Sequence, residues 1–121
     1  MSEKKNIIRE KSYSFALRVI KLYQHLSKDK KEFVLSKQIL RSGTAIGAMV
    51  EEALQAESKA DFLHKISMAN KEANETFYWL RLLKDSGFII SNAANSIIHD
   101  SNEIRKILSS IVFSTKRTLK K

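Results

Sequence analysis

LRSGTAIGAMVEEA, Leu40 to Ala53, is the stretch on which the fold turns. Gly43 and Gly47 stand four residues apart in a run that otherwise has helical periodicity, and each costs a helix about 1 kcal/mol relative to alanine. The chain holds three glycines and no proline, so most of its glycine sits where it weakens a helix. Both fall on the apolar stripe of Leu35, Ile39, Gly43, Ile46, Gly47, Val50 and Leu54. A side chain missing from a buried stripe lets another backbone come close. That neighbour is a second helix of the same bundle, another subunit or a ligand. Ser42, Thr44, Ala45 and Ala48 keep the surroundings small as well. A membrane-type G-x-x-x-G contact does not fit, because Glu51 and Glu52 follow at once. A phosphate-cradling P-loop fails too, since Ala48-Met49 stand where Lys and Ser/Thr are required.

Outward from this segment the same 3.6-residue period recurs. Upstream, Phe15, Ala16, Val19, Ile20, Tyr23 and Leu26 form one stripe, and SKDKKE (Ser27–Glu32) interrupts it. Downstream, Ser58 and Asp61 have the spacing of a capping box, in which each side chain accepts from an orphan backbone N–H. Phe62, Ile66, Ala69, Ala73, Phe77, Leu80 and Leu83 follow at helical spacing, and Gly87 can close that helix in the left-handed conformation. The last stripe holds Ala94, Ile97, Ile98, Ile104, Leu108, Ile111, Val112 and Thr115. The expectation is one all-α domain over 1–121, an up-down-up-down four-helix bundle with helices about 8–27, 33–56, 58–85 and 91–116.

Composition limits what such a bundle does. Cysteine is absent, which removes disulfides, thiolate catalysis and Cys-ligated zinc. The N-terminus has no apolar core of a secretory signal and no run is long enough to span a membrane, so a cytoplasmic, non-membrane protein is expected. Charge is the strongest bias: 22 Lys and Arg against 13 Asp and Glu leave +9, which points to a polyanionic partner. The excess is uneven. Residues 1–31 carry +6 and 88–121 carry +4, whereas the middle is nearly neutral.

The same central residues carry a family resemblance. Arg41-Ser42-Gly43-Thr44, Ile46-Gly47-Ala48 and Glu51-Glu52-Ala53, followed by Lys71-Glu72-Ala73, Glu75-Thr76 and Tyr78-Trp79-Leu80-Arg81-Leu82-Leu83, resemble the family of four-helix-bundle proteins encoded in intervening sequences of bacterial 23S rRNA genes. Met49 departs from the Asn often found there, and Asn70 from an apolar residue. The resemblance implies a left-turning bundle that assembles as a homo-oligomer, favouring a five-membered ring. It also implies a relation to accessory proteins of diversity-generating retroelements, in which a basic ring contacts a reverse transcriptase and its RNA.

The candidate residues fall into three groups. Arg9, Lys11, Arg18 and Lys21 lie off the apolar stripe of the first helix, and Arg105, Lys106, Lys116 and Arg117 off that of the fourth. First and last helices are neighbours in an up-down bundle, so these faces are expected to merge into a phosphate-binding surface, against the alternative of a solvated face. Gly43, Gly47, Tyr78 and Trp79 are candidates for close helix packing or a subunit interface. Glu51, Glu52, Glu72 and Glu75 are expected in structural ion pairs with Arg41, Lys71 or Arg81 rather than as metal ligands, because the two Glu-x-x-His units of a di-iron bundle are lacking. His25, His64 and His99 form no catalytic spacing with a serine and an acid. The expected function is therefore non-enzymatic RNA binding, with no metal or cofactor. Partners would be RNA, further copies of the chain, and a ribosome or reverse transcriptase; a pure protein scaffold is the alternative.

Overall fold

A computed structural model describes residues 3–120; positions 1, 2 and 121 of the expected domain lie outside the described residues. Four helices account for nearly all of it: α1 (Glu3–Lys28), α2 (Leu35–Leu54), α3 (Lys59–Asp85) and α4 (Ser91–Leu119). Each packs on its sequence neighbours and α4 closes back on α1, while among the described residues the diagonal helices keep their backbones apart, with Lys5 of α1 reaching the Phe62 ring of α3 at 4.3 Å. No helix is long and apolar enough to cross a membrane.

The core is built from the expected stripes. Phe15, Val19 and Leu26 of α1 meet Ile39, Ile46 and Val50 of α2, then Ile66, Leu80 and Leu83 of α3 and Ile104 and Leu108 of α4. Burying each large apolar side chain is worth about 1.5–3 kcal/mol. On α1 the inward line is Ile8, Ser12, Phe15, Val19 and Leu26, so the stripe begins earlier than its first aromatic residue. Ile20 moves to the surface at 38% exposed, because Ser12 and Val19 hold the inward angle it was expected to share.

The two glycines of α2 meet α1. A Cβ on Gly43 would lie 2.8 Å from both γ-carbons of Val19, whereas one on Gly47 would sit 3.5 Å from the Ser12 carbonyl and hydroxyl oxygens. The partner is thus a helix of the same chain. On the opposite side of α2, Thr76 donates to Ser42 across 2.9 Å, both fully buried, and so draws α3 in.

Helix ends explain where the boundaries moved. Residues 33 and 34 stay outside α2, because the Glu32 carboxylate accepts from the N–H groups of Val34, Leu35 and Ser36 at 3.3, 3.1 and 2.7 Å. Burial pushes the Glu32 carboxyl up, but these three donors outweigh it and hold it below the usual glutamate value. Since the folded value is depressed, the stabilisation is fully present above the unfolded value of about 4.3 and is lost as pH falls through the folded one. Glu32→Gln is expected to cost about 1 kcal/mol at neutral pH, a typical cap value. Urea midpoints of wild type and variant should converge at acid pH; a gap of the same size at both would remove Glu32 as the cap.

Ser58 caps α3 by accepting from Asp61 N–H at 3.1 Å, while Asp61 accepts from the Glu57 N–H at 3.4 Å. At the other end, Gly87 takes φ +83, with Gly87 N–H on the Lys84 carbonyl and Phe88 N–H on that of Leu83. That is the paired hydrogen-bond pattern of a Schellman stop.

Candidate nucleic-acid interface

The eight basic candidates separate by helix. On α1, Arg9 Nε donates to Glu51 of α2 at 2.8 Å, Lys11 Nζ to Glu103 of α4 at 2.7 Å, and Arg18 Nη1 to Asp100 of α4 at 2.5 Å. The Arg18 Nη2 also reaches the Ser96 hydroxyl at 3.1 Å. The hydrogen-bonded Glu103 carboxylate pushes the Lys11 ammonium above the ordinary lysine value. Lys21 alone of this group is exposed with no ion pair among the described residues.

On α4 the four cations have no carboxylate partner among the described residues. Arg105 Nε donates to Asn74 Oδ1 at 2.8 Å and Nη1 to Asn102 Oδ1 at 3.3 Å, both neutral amides. Its guanidinium lies 3.9 Å from the Phe77 ring centroid, a cation–π contact. Arg117 lies 5.8 Å from the ring of Phe113, and Lys106 and Lys116 are exposed.

The expected merger of the two basic faces therefore does not occur. The first and fourth helices are neighbours, but their seam is where α1 cations meet α4 carboxylates. A groove of about 370 Å³ runs along it, lined by Ile7, Phe15 and Ile104 and by the residues of both ion pairs. Arg105 instead turns towards α3. Sequence reasoning assigned each cation to an outer face from its position off the stripe, without Asp100 and Glu103 in the same seam.

The central carboxylates are divided among three sites rather than gathered into one. Glu51 pairs with Arg9, Glu52 with Lys65 at 3.0 Å, and Glu72 and Glu75 both with Arg41. Lys71 and Arg81, expected as their partners within or between subunits, take none of them among the described residues of this one chain. Lys71 is exposed, and Arg81 lies 5.9 Å from the Phe77 ring that Arg105 also contacts. Among the described residues no three His, Asp or Glu side chains converge as a metal ion requires. His25 contacts Asp29 at 2.9 Å, and His64 and His99 are exposed.

The adjacent aromatics take different roles. Trp79 packs half-buried against the core and donates from Nε1 to Glu75 at 3.2 Å. Tyr78 is 52% exposed, its ring meeting the Trp79 edge at 5.3 Å and 65°.

The sequence matches the model of a family described as 23S rRNA-intervening sequence protein over residues 4–110. Among curated proteins none matches it. A crystal structure of a protein with unknown function from the S23 ribosomal protein family of Bacteroides thetaiotaomicron VPI-5482 is similar. The two share 53% identity over 90% of this chain and 97% of that one, with a TM-score of 0.88.

Proposed function

The chain belongs to the 23S rRNA-intervening sequence protein family, and from that premise we propose that it is a cytoplasmic, non-enzymatic RNA-binding protein that works as a homo-oligomer. One observation carries the reading. Glu51, Glu52, Glu72, Glu75, Asp100 and Glu103 are taken up by Arg9, Lys11, Arg18, Arg41 and Lys65, and among the described residues Lys21, Arg105, Lys106, Lys116 and Arg117 have no carboxylate partner. The excess behind the formal +9 thus falls in part on these cations, and phosphates are its natural counter-charge. Contacts of this kind position a polyanion and carry little base-sequence information.

Assembly supports the same reading, because copies in a ring multiply the charge that one RNA meets. Tyr13, Leu17 and Ile20 lie at i, i+4 and i+7 on α1 and are 67%, 48% and 38% exposed. We assign this stripe to a second copy of the chain, as the ring implied by the resemblance requires an apolar face between like-charged subunits.

Titration of structured RNA and a matched duplex DNA across a salt series tests the proposal. Four phosphate contacts predict a fall in affinity between 50 and 200 mM salt of about 150-fold on a duplex and about 50-fold on a single strand. Sedimentation of the same samples should give several times the mass of one chain. Absence of RNA binding at low salt would leave a protein scaffold, and a monomer would remove the ring.

A further inference from the structure

We infer that the RNA-binding surface is the α3–α4 face centred on Arg105, and that it takes a single-stranded segment. The inference rests on the RNA-binding reading above and names its site.

Arg105 is the cation whose geometry is built. Its guanidinium carbon lies over the Phe77 ring, 3.9 Å from the centroid, and two of its nitrogens are fixed by Asn74 and Asn102. A guanidinium has five N–H donors, so Nη2 remains for a phosphate oxygen in a side chain already ordered. Its fixing groups are neutral amides, so no carboxylate offsets its charge there. Arg18, the equivalent cation of the α1 seam, spends Nη1 on a carboxylate and Nη2 on a hydroxyl.

The face around Arg105 keeps carboxylates away. Glu72 and Glu75 of α3 are turned to Arg41, and Asp100 and Glu103 of α4 to Arg18 and Lys11. Asp85 stands at the margin, at the last residue of α3. Asn74, Tyr78 and Arg81 follow at i, i+4 and i+7 and share one side of α3, and Arg81 flanks the same Phe77 ring as Arg105. Lys106 adjoins Arg105 on α4, with Phe113 and Arg117 on its side of that helix.

Two exposed aromatics decide the form of RNA. Tyr78 is 52% exposed and braced by Trp79, and Phe113 is 64% exposed beside Arg117. Along α4, Phe113 lies eight residues from Arg105, about 12 Å. Cations interleaved with open aromatic faces bind single strands, phosphates on the former and bases on the latter. A duplex keeps its base faces stacked and would leave both rings unused.

The experiment compares two variants with the same charge loss. N74D/N102D places carboxylates on Arg105 and takes the chain from +9 to +7; K28Q/K30Q removes two charges at the end of α1 and beyond it. Affinity for a fluorescent oligouridylate should fall at least tenfold in the first and about twofold in the second, with the melting temperature of N74D/N102D unreduced. Should that variant lose its melting transition, R105Q reads the same site. Y78A/F113A should cost about tenfold or more on the single strand, and much less on the same RNA annealed to oligoadenylate. Equal losses in the charge-matched pair would overturn the site, as would a loss confined to R9Q/K11Q/R18Q. Equal binding of single strand and duplex would overturn the single-strand assignment. A wild-type protein that binds no RNA fails at the earlier reading and takes this one with it.

Discussion

Replacing Gly43 with leucine is expected to destabilise the protein strongly, whereas Gly47→Ala is expected to stabilise it. The two glycines look alike in sequence and differ in what a side chain would strike. At Gly43 even a methyl falls 2.8 Å from both γ-carbons of Val19. Val19 is fully buried, and a β-branched residue in a helix has essentially one rotamer, so it has no room to turn aside. Overpacking of this kind costs about 1–3 kcal/mol, occasionally more, and leucine adds three carbons beyond the methyl. Set against a typical stability of about 5–15 kcal/mol, that loss is a large share of the total and lowers the melting temperature markedly. At Gly47 the new methyl makes ordinary contact with Ser12 at 3.5 Å, and the helix recovers about 1 kcal/mol of propensity. Thermal melts of the two alanine variants should therefore move in opposite directions. A higher melting temperature for Gly43→Ala than for Gly47→Ala would show that α1 is not seated on Gly43.

Phe15→Ala should be the most damaging truncation on α1, at about 3–5 kcal/mol. Phe15 is 2% exposed and lines the groove between α1 and α4, the pair of neighbouring helices with the least contact. The ion pairs across that seam cannot replace it, since their side chains are each about two-fifths exposed and such pairs contribute about 0–1 kcal/mol. Denaturant melts of Phe15→Ala and R18Q decide between apolar and ionic anchoring. A larger loss for R18Q would mean that charge holds α1 to α4.

The helices were legible because their periodicity is strong and the stops are local chemistry. Ser58, Asp61 and Gly87 announce their roles through spacing and residue type, and the backbone hydrogen bonds there follow from those residues alone. Glu32 was not read as a cap. A glutamate before a helix has the reach to bond three N–H groups, but only the path of the chain after Lys31, which adopts φ 56, aims it there. The site was less legible for the same reason. Arg9, Lys11 and Arg18 are indistinguishable from Lys106 and Arg117 as charges off an apolar stripe, and Asn74 and Asn102 carry no motif.

The sequence by itself determined the number of helices, their inward faces, the stops at Ser58 and Gly87, the basic excess and the family. These depend on neighbours within a few turns, and a helix converts spacing into direction with no further information. Only the tertiary structure decided that Gly43 is the tight glycine, that α1 spends its cations on α2 and α4, and that Arg105 sits between two amides and a ring. Those outcomes depend on the rotation of one helix against another, a quantity set by the packing of all four stripes at once and written in none of them.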